Sequence, residues 1–237
     1  MNQYQGQTVY MVLSAIFIAS LVGCNLIFQK FFVLDLHYSV IILSVGILPY
    51  PVTFIVTDVI SEIYGKKKAD NLVFSGFIAS IFIMAVLYVA DILPAVYFSP
   101  VNNETFSQVF GLFGPAVFAS MTAYLLAQFI DIRIFHLWKD FTKGKHLWLR
   151  NNLSTVFSQM IDTASVLCLL CVASDLGWST GLSWDNFPKL FVAGYLFKVA
   201  IAIIDTPLVY LSCYALRKKY DLRVGETISE KTNRNSL

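Results

Sequence analysis

Pro49–Lys68, PYPVTFIVTDVISEIYGKKK, decides how the chain is read. It opens as an apolar helix, carries two acids, and ends at Gly65 followed by Lys66, Lys67 and Lys68. Asp58 and Glu62 are four residues apart and therefore share a helix face. Gly65 can end that helix, and the three lysines mark a charged surface beyond it. In a water-soluble protein this would be an ordinary amphipathic end. The flanking sequence is too apolar for that, and carboxylates inside an apolar segment are costly enough to signal function.

Working outward, the 237 residues are 57% hydrophobic and only 14% charged, with mean hydropathy +0.67. A soluble domain carries about a quarter charged residues, so the composition points to a polytopic membrane protein. The net charge of +2 gives no basic face for nucleic acid, so no direct nucleic-acid partner is expected. The four cysteines, Cys24, Cys168, Cys171 and Cys213, lie in apolar runs. Cys168 and Cys171 form CxxC among leucines and read as small packing residues rather than a metal or redox site. The first residues, MNQYQGQTVY, have no basic region of the kind that opens a cleavable signal, so the first apolar run reads as a retained span.

A helix needs about 20 apolar residues to cross the hydrocarbon core. Six stretches qualify: roughly Thr8 to Phe28, Val40 to Ile60, Leu72 to Leu93, Val109 to Phe135, Leu153 to Ala173 and Phe187 to Leu216. Of the 17 basic residues, 14 fall after spans 2, 4 and 6, at Lys66–Lys68, between Arg133 and Arg150, and from Arg217 onward. Lys30 and Lys189 lie on the other side and Lys198 lies inside span 6. This alternation places both termini in the cytoplasm. The expectation is an all-α integral membrane protein with a single six-helix transmembrane domain over residues 1–219. A polar cytoplasmic tail, residues 220–237, is expected to be disordered.

Polar side chains recur on single helix faces inside these spans. Span 1 has Asn25 and Gln29; span 4 has Tyr124, Gln128 and Asp131. Span 5 has Ser158, Asp162 and Ser165 with Gln159 alongside, and span 6 has Tyr195, Lys198, Ala202 and Asp205. Gln128–Asp131 and Gln159–Asp162 both read Q-x-I-D, on helices of opposite direction, a weak echo of an inverted repeat. Lys198 and Asp162 both fall near the bilayer middle, where a lone charge costs about 2.5–3.5 kcal/mol, so the two are expected to pair. Asp205 lies two turns deeper and could compete for the lysine. Bland alternatives stand beside these: Asp131 and Glu62 reaching to water, Lys198 with Asp162 as a purely structural pair, Asn25 and Gln29 as interhelical glue. A ligand-lined cavity accounts for all the polar faces together.

No GxxxxGK[ST], HExxH or GxSxG motif occurs, and His37, His136 and His146 lie in expected loops. An intramembrane enzyme built on two deep aspartates is the remaining catalytic reading. No cofactor or metal is called for.

PYPVTFIVTDVISEIYGKKKA, followed by LLAQFIDIRIFHLWK, VFSQMIDTAS and GYLFKVAIAIIDTPLVY, resembles the VUT family of queuosine precursor transporters over spans 1 to 6. The marks are D-x-x-x-E/R-x-x-G in span 2, Q-x-x-D in span 4, a polar residue before D-T in span 5 and F-K in span 6. They fall on Asp58, Gln128, Asp131, Gln159, Asp162 and Lys198, with Asn25 as the span 1 amide. The resemblance implies an inner-membrane importer of a 7-deazaguanine base: the 7-cyano form, its aminomethyl relative, or queuine. Gln159 stands where some relatives are expected to carry asparagine, which leaves the preferred base open.

Such a base offers a ring N–H and an exocyclic amine beside a carbonyl. One carboxylate, Asp131 or Asp162, is expected to take both donors, with Gln128 or Gln159 beside it. Aromatic rings would cover its faces, but among 20 Phe and 12 Tyr the sequence singles out none. Glu62 and Asp205 complete the expected binding or translocation set. The family also resembles the six-helix substrate-binding components of energy-coupling-factor importers, so a subunit needing an ATP-driven partner is the runner-up. Ala15, Ala19 and Gly23 form a small-residue face on span 1 that suits a partner, internal packing or a homodimer.

Overall fold

Backbone N–H and C=O groups in hydrocarbon have only one another as partners, so each long apolar run becomes a helix. A computed structural model gives the arrangement and describes residues 3–27, 30–35, 40–111, 115–177 and 183–235. Its helices are α1 (Gln3–Ile27), α2 (Tyr50–Ile63), α3 (Lys66–Ile92), α4 (Asn103–Phe110), α5 (Pro115–Phe141), α6 (Leu147–Asp175), α7 (Phe187–Tyr220) and α8 (Ile228–Asn235). Among the described residues, five stretches are long and apolar enough to cross a membrane: residues 6–27, 45–63, 66–92, 147–175 and 187–220. α5 is as long as α3 but carries Asp131, Arg133, Lys139 and Asp140 in its second half.

One departure from the sequence reading lies before α2. Span 2 does not begin as a helix at Val40. Instead β1 (Phe31–Asp35) and β2 (Val40–Ser44) pair antiparallel, and a short 3-10 turn, Val45–Ile47, leads into α2. The run Val40–Ser44, VIILS, is short and β-branched, so pairing competes with helix. Pro51 in the first turn of α2 suits a helix start, since its missing N–H is unpaired there in any case. Phe28 and Gln29, the last residues of the span 1 reading, lie outside the described residues, as do 112–114 within span 4.

α2 stops where expected. Gly65 has φ +87° and sends its N–H to the carbonyl of Ile60 at 3.1 Å, beside that of Tyr64 at 2.8 Å. α3 then begins with Lys66, Lys67 and Lys68, a choice that opposes its dipole. Placement of charge at the membrane edge has overridden the local helix preference.

The burial pattern is inverted relative to a soluble protein. Ile78, Phe82, Ile203, Ile204 and Leu211 are exposed on α3 and α7. Buried inside are Thr53, Asp58, Glu62, Gln128, Asp131, Arg150, Asn151, Gln159 and Asp162, next to an apolar cluster of Phe17, Ile60, Ile63, Leu72, Ile132 and Phe135. Ala15 and Ala19 of the small-residue face on α1 are exposed, so that face turns away from the bundle. All four cysteines are free thiols.

The segment after Tyr220 contains α8. Thr227 and Glu230 form a capping box: the Glu230 carboxylate accepts from the Thr227 N–H at 2.7 Å, and the Thr227 hydroxyl accepts from the Glu230 N–H at 3.3 Å. Lys231 is buried and donates to the carbonyls of Tyr220 and Asp221 and to the Asp221 carboxylate at 2.7–2.9 Å, closing the end of α7. Gly144 and Gly225 pass back to back; a Cβ on either would lie 2.7 Å from the other's Cα.

The tail is therefore expected to be seated by contact and charge. Gly225→Ala should loosen it, read as faster proteolytic loss of residues beyond 225 in detergent. The bond and charge of Lys231 hold Asp221 below the ordinary carboxylate range. Burial pushes Glu230 up, but the Thr227 bonds prevail and hold it below that range too. A depressed carboxylate stabilises the seat at neutral pH and loses that contribution as pH falls. Protection of the tail should accordingly decline below about pH 4.

Candidate functional site

α2 and α7 run parallel, since Tyr50 meets Lys198 at one level and Glu62 meets Arg217 nearer the basic end. α6 runs antiparallel to both, with Gln159 at Tyr50 and Arg150 at Glu62. Three polar stripes thereby line up: Tyr50, Phe54 and Asp58 on α2; Gln159, Thr155 and Asn151 on α6; Lys198, Ala202 and Asp205 on α7. All nine line one pocket of about 430 Å³, mouth included. Ile47, Pro51, Ile55, Phe197, Ile201 and Val209 complete its wall. Seven or eight steps of about 1.5 Å make each stripe about 10–12 Å long.

One end of the pocket is a linked polar group. Lys198 pairs with Asp162 Oδ2 at 2.6 Å, so the expected ion pair is present. The Tyr50 hydroxyl donates to the same oxygen at 2.7 Å, lies 3.1 Å from Gln159 Oε1, and accepts from Lys198 at 3.4 Å. The lysine also sits over the Tyr50 ring at 4.8 Å. Tyr50, Phe54 and Tyr124 form an aromatic cluster with ring centroids 5.2–6.4 Å apart. The other end carries Asp58, Asp205 and Asn151. Asp58 is 2% exposed, and its Oδ1, like Asn151 Oδ1, is buried without a hydrogen-bond partner. Gln159 Nε2 is buried and unpartnered at the first end.

Of the residues singled out from sequence, Asp58, Gln159, Lys198 and Asp205 line the pocket, and Asp162 stands directly behind Lys198. Gln128 and Asp131 lie in an adjoining layer: Gln128 donates to the Tyr124 hydroxyl at 2.6 Å, and Asp131 accepts from Ser158 at 2.9 Å. Asn25 is half-buried on α1 and is not part of the pocket wall. Gln29 lies outside the described residues.

Glu62 neither reaches water nor lines the pocket. It is fully buried and meets three cations: Arg150 of α6 at 2.6 Å, Lys139 of α5 at 3.4 Å, and Arg217 of α7. Arg150 had read as a loop charge, yet it is fully buried within α6. Lys139 likewise turns inward and donates to the Glu62 carbonyl at 3.2 Å. Asp131, 1% exposed, does not snorkel either. Sequence reasoning missed Tyr50, Phe54, Asn151 and Thr155. Their signal was the four-residue spacing that links each to Asp58 or Gln159.

A bundle of apolar helices around a pocket with polar and charged side chains in its wall fits a membrane carrier or binding protein. The chain belongs to the family described as "Putative vitamin uptake transporter", whose profile matches residues 44–212. It is similar to the "Probable queuosine precursor transporter" of Bacillus subtilis (strain 168), 26% identical over 168 residues, 70% of each chain. It is also similar to the protein of the same name from Haemophilus influenzae (strain ATCC 51907 / DSM 11121 / KW20 / Rd), 26% identical over 162 residues. That alignment covers 67% of this chain and 63% of the relative. No solved structure matches the chain significantly. The chain is thus a multi-pass membrane protein of a transporter family, located in a bacterium in the inner membrane.

Removing one partner of a buried ion group strands the others, at about 3–5 kcal/mol. Glu62→Gln, which leaves three cations, should therefore lower thermal stability in detergent far more than Lys139→Met, which leaves Glu62 with two arginines. For the pocket pair, Asp162→Asn and Lys198→Met should each destabilise, and the double variant should recover part of the loss. Strict additivity of the two would show that their 2.6 Å contact carries no coupling.

Proposed function

We propose that this chain imports a queuosine precursor, a 7-deazaguanine base, across the inner membrane without an ATPase of its own. α5 joins the five apolar helices as a sixth span, and the basic end, with both termini, faces the cytoplasm. The observation that carries the reading is the pocket. Its Tyr50, Phe54 and Phe197 rings suit a flat ligand, and its unpartnered buried atoms are mainly acceptors, as a ligand rich in N–H groups requires. The names of the two relatives support the choice of base.

In this reading Asp58 takes the ring N–H and the exocyclic amine, with Asn151 Oδ1 beside it. The sequence had pointed to Asp131 or Asp162, but Ser158 holds the first, and Lys198 with Tyr50 holds the second. Gln159 Nε2 supplies a donor for the carbonyl. Asp131 then holds Ser158 of α6 from behind, Gln128 holds Tyr124, and Glu62 ties helices together rather than touching ligand.

Expression in a host without its own precursor synthesis and import, with queuosine in tRNA as readout, tests this. Restoration of queuosine by this chain alone is expected. Restoration only with an added ATPase module would favour a binding subunit, and chemical change of the base by purified protein an enzyme. Asp58→Asn should reduce uptake by about 10- to 100-fold, the loss of a charge-assisted pair of bonds. Asp131→Asn should reduce it less.

A further inference from the structure

We infer that Asp205 is a cation site within this pocket, selecting ligands that carry a protonated amine over neutral ligands of the same size. The inference rests on the import reading above and deepens it.

The charges along the three stripes do not balance evenly. Lys198, the one cation in the pocket wall, is held at 2.6 Å by Asp162, which is not itself in the wall. The wall carries two further carboxylates, Asp58 and Asp205. Among the described residues neither has a basic group within ion-pair distance. Their surroundings differ. Asp58 lies one turn from Glu62, where Lys139, Arg150 and Arg217 outnumber the single carboxylate they share. Asp58 is fully enclosed, whereas Asp205 is half-buried in the same wall. On α7, Lys198 is two turns from Asp205 and engaged elsewhere, and Arg217 is turned onto Glu62.

The same end of the pocket presents Asp58 Oδ1 and Asn151 Oδ1, both buried and unpartnered. Its level on α6 and α7 is fixed by the bond from Asn152 Nδ2 to Thr206 Oγ1 at 2.9 Å, which places Asn151 beside Asp205. Acceptors therefore converge there from three helices, and among the described residues no donor answers Asp58 Oδ1 or Asn151 Oδ1. A neutral guanine-like edge can satisfy Asp58 and Asn151. It leaves the Asp205 charge in a low-dielectric wall, where an ammonium on the ligand would pair with it. Asp58 and Asp205 stand on different helices across the pocket, so one ligand can meet the first with its donor edge and the second with a side arm.

The test compares two 7-deazaguanine bases in the same uptake assay, one bearing an aminomethyl group and one a nitrile. The amine should compete at least about tenfold better in the wild-type chain, equivalent to about 1.4 kcal/mol. Asp205→Asn should collapse that ratio, and Asp205→Glu should keep it. Equal competition by the two bases in the wild-type chain would overturn the inference while leaving import intact, as would a ratio unchanged in Asp205→Asn. Uptake of neither base would overturn the import reading itself.

Discussion

A carboxylate with no route to water must be matched by cations or donors, and Glu62 meets that constraint by drawing one cation from each of three other helices. α2, α5, α6 and α7 are thereby fixed at a common level near the basic end. The geometry explains why α2 can be short. Its 14 residues do not hold the bundle by apolar area alone, since both faces of its second half are buried, Ile60 and Ile63 against the apolar cluster and Glu62 against the cations. With that level set, the helix directions put Tyr50 opposite Gln159 and Lys198, about 18 Å away at 1.5 Å per residue. The pocket lies between two charged groups and inherits its alignment from both.

The two groups differ in kind. Around Glu62 the cations exceed the carboxylate, and the contacts are between side chains that are wholly or mostly buried. Around Asp162 one lysine, one phenol and one amide share a single oxygen and its neighbours, and Asp162 Oδ1 stays unpartnered. The first arrangement is crowded with donors and suits a fixed tie. The second stands beside a pocket, with Asp162 Oδ1 and Gln159 Nε2 unpartnered, as Arg150 Nε and Arg217 Nε are in the first.

Much of this was legible in the sequence, because in an apolar chain each polar residue is a strong signal. The four-residue step from Asp58 to Glu62, the stop at Gly65, and the depths of Lys198 and Asp162 all translated directly into geometry. The ring of cations was misread for a physical reason. Counting lysines and arginines locates a membrane edge, but it does not say whether a long side chain points to water or folds back on a buried acid. Arg150 and Lys139 do the latter. The hairpin before α2 was missed because a five-residue β-branched run reads alike as strand or as the start of an apolar helix. Thr227–Glu230 carries the capping box of α8, a local signal that outweighs the polar composition of the tail. The sequence alone does not separate the candidate ligand-reading acids. Asp131 and Asp162 each lie on a polar face, as Asp58 does, and only the partners Ser158, Lys198 and Tyr50 reveal which faces are already occupied.

α7 joins these features. It contributes Lys198 to one charged group, Asp205 to the pocket, and Arg217 to the other group. Between the last two stands Pro207, which cannot give an N–H to the carbonyl of Ile203. The Thr206 hydroxyl donates to the Ala202 carbonyl at 3.0 Å and accepts from Asn152 of α6 at 2.9 Å, which ties α7 to α6 beside the break without reaching the Ile203 carbonyl. The weakest backbone point of the helix therefore falls one turn or less below Asp205 and above Arg217. The segment of α7 that carries Arg217 is joined to the pocket-lining segment across a missing backbone bond, beside one amide–hydroxyl tie to α6. The charged group at the basic end and the pocket are thus linked by a few named polar contacts as well as by the helix itself.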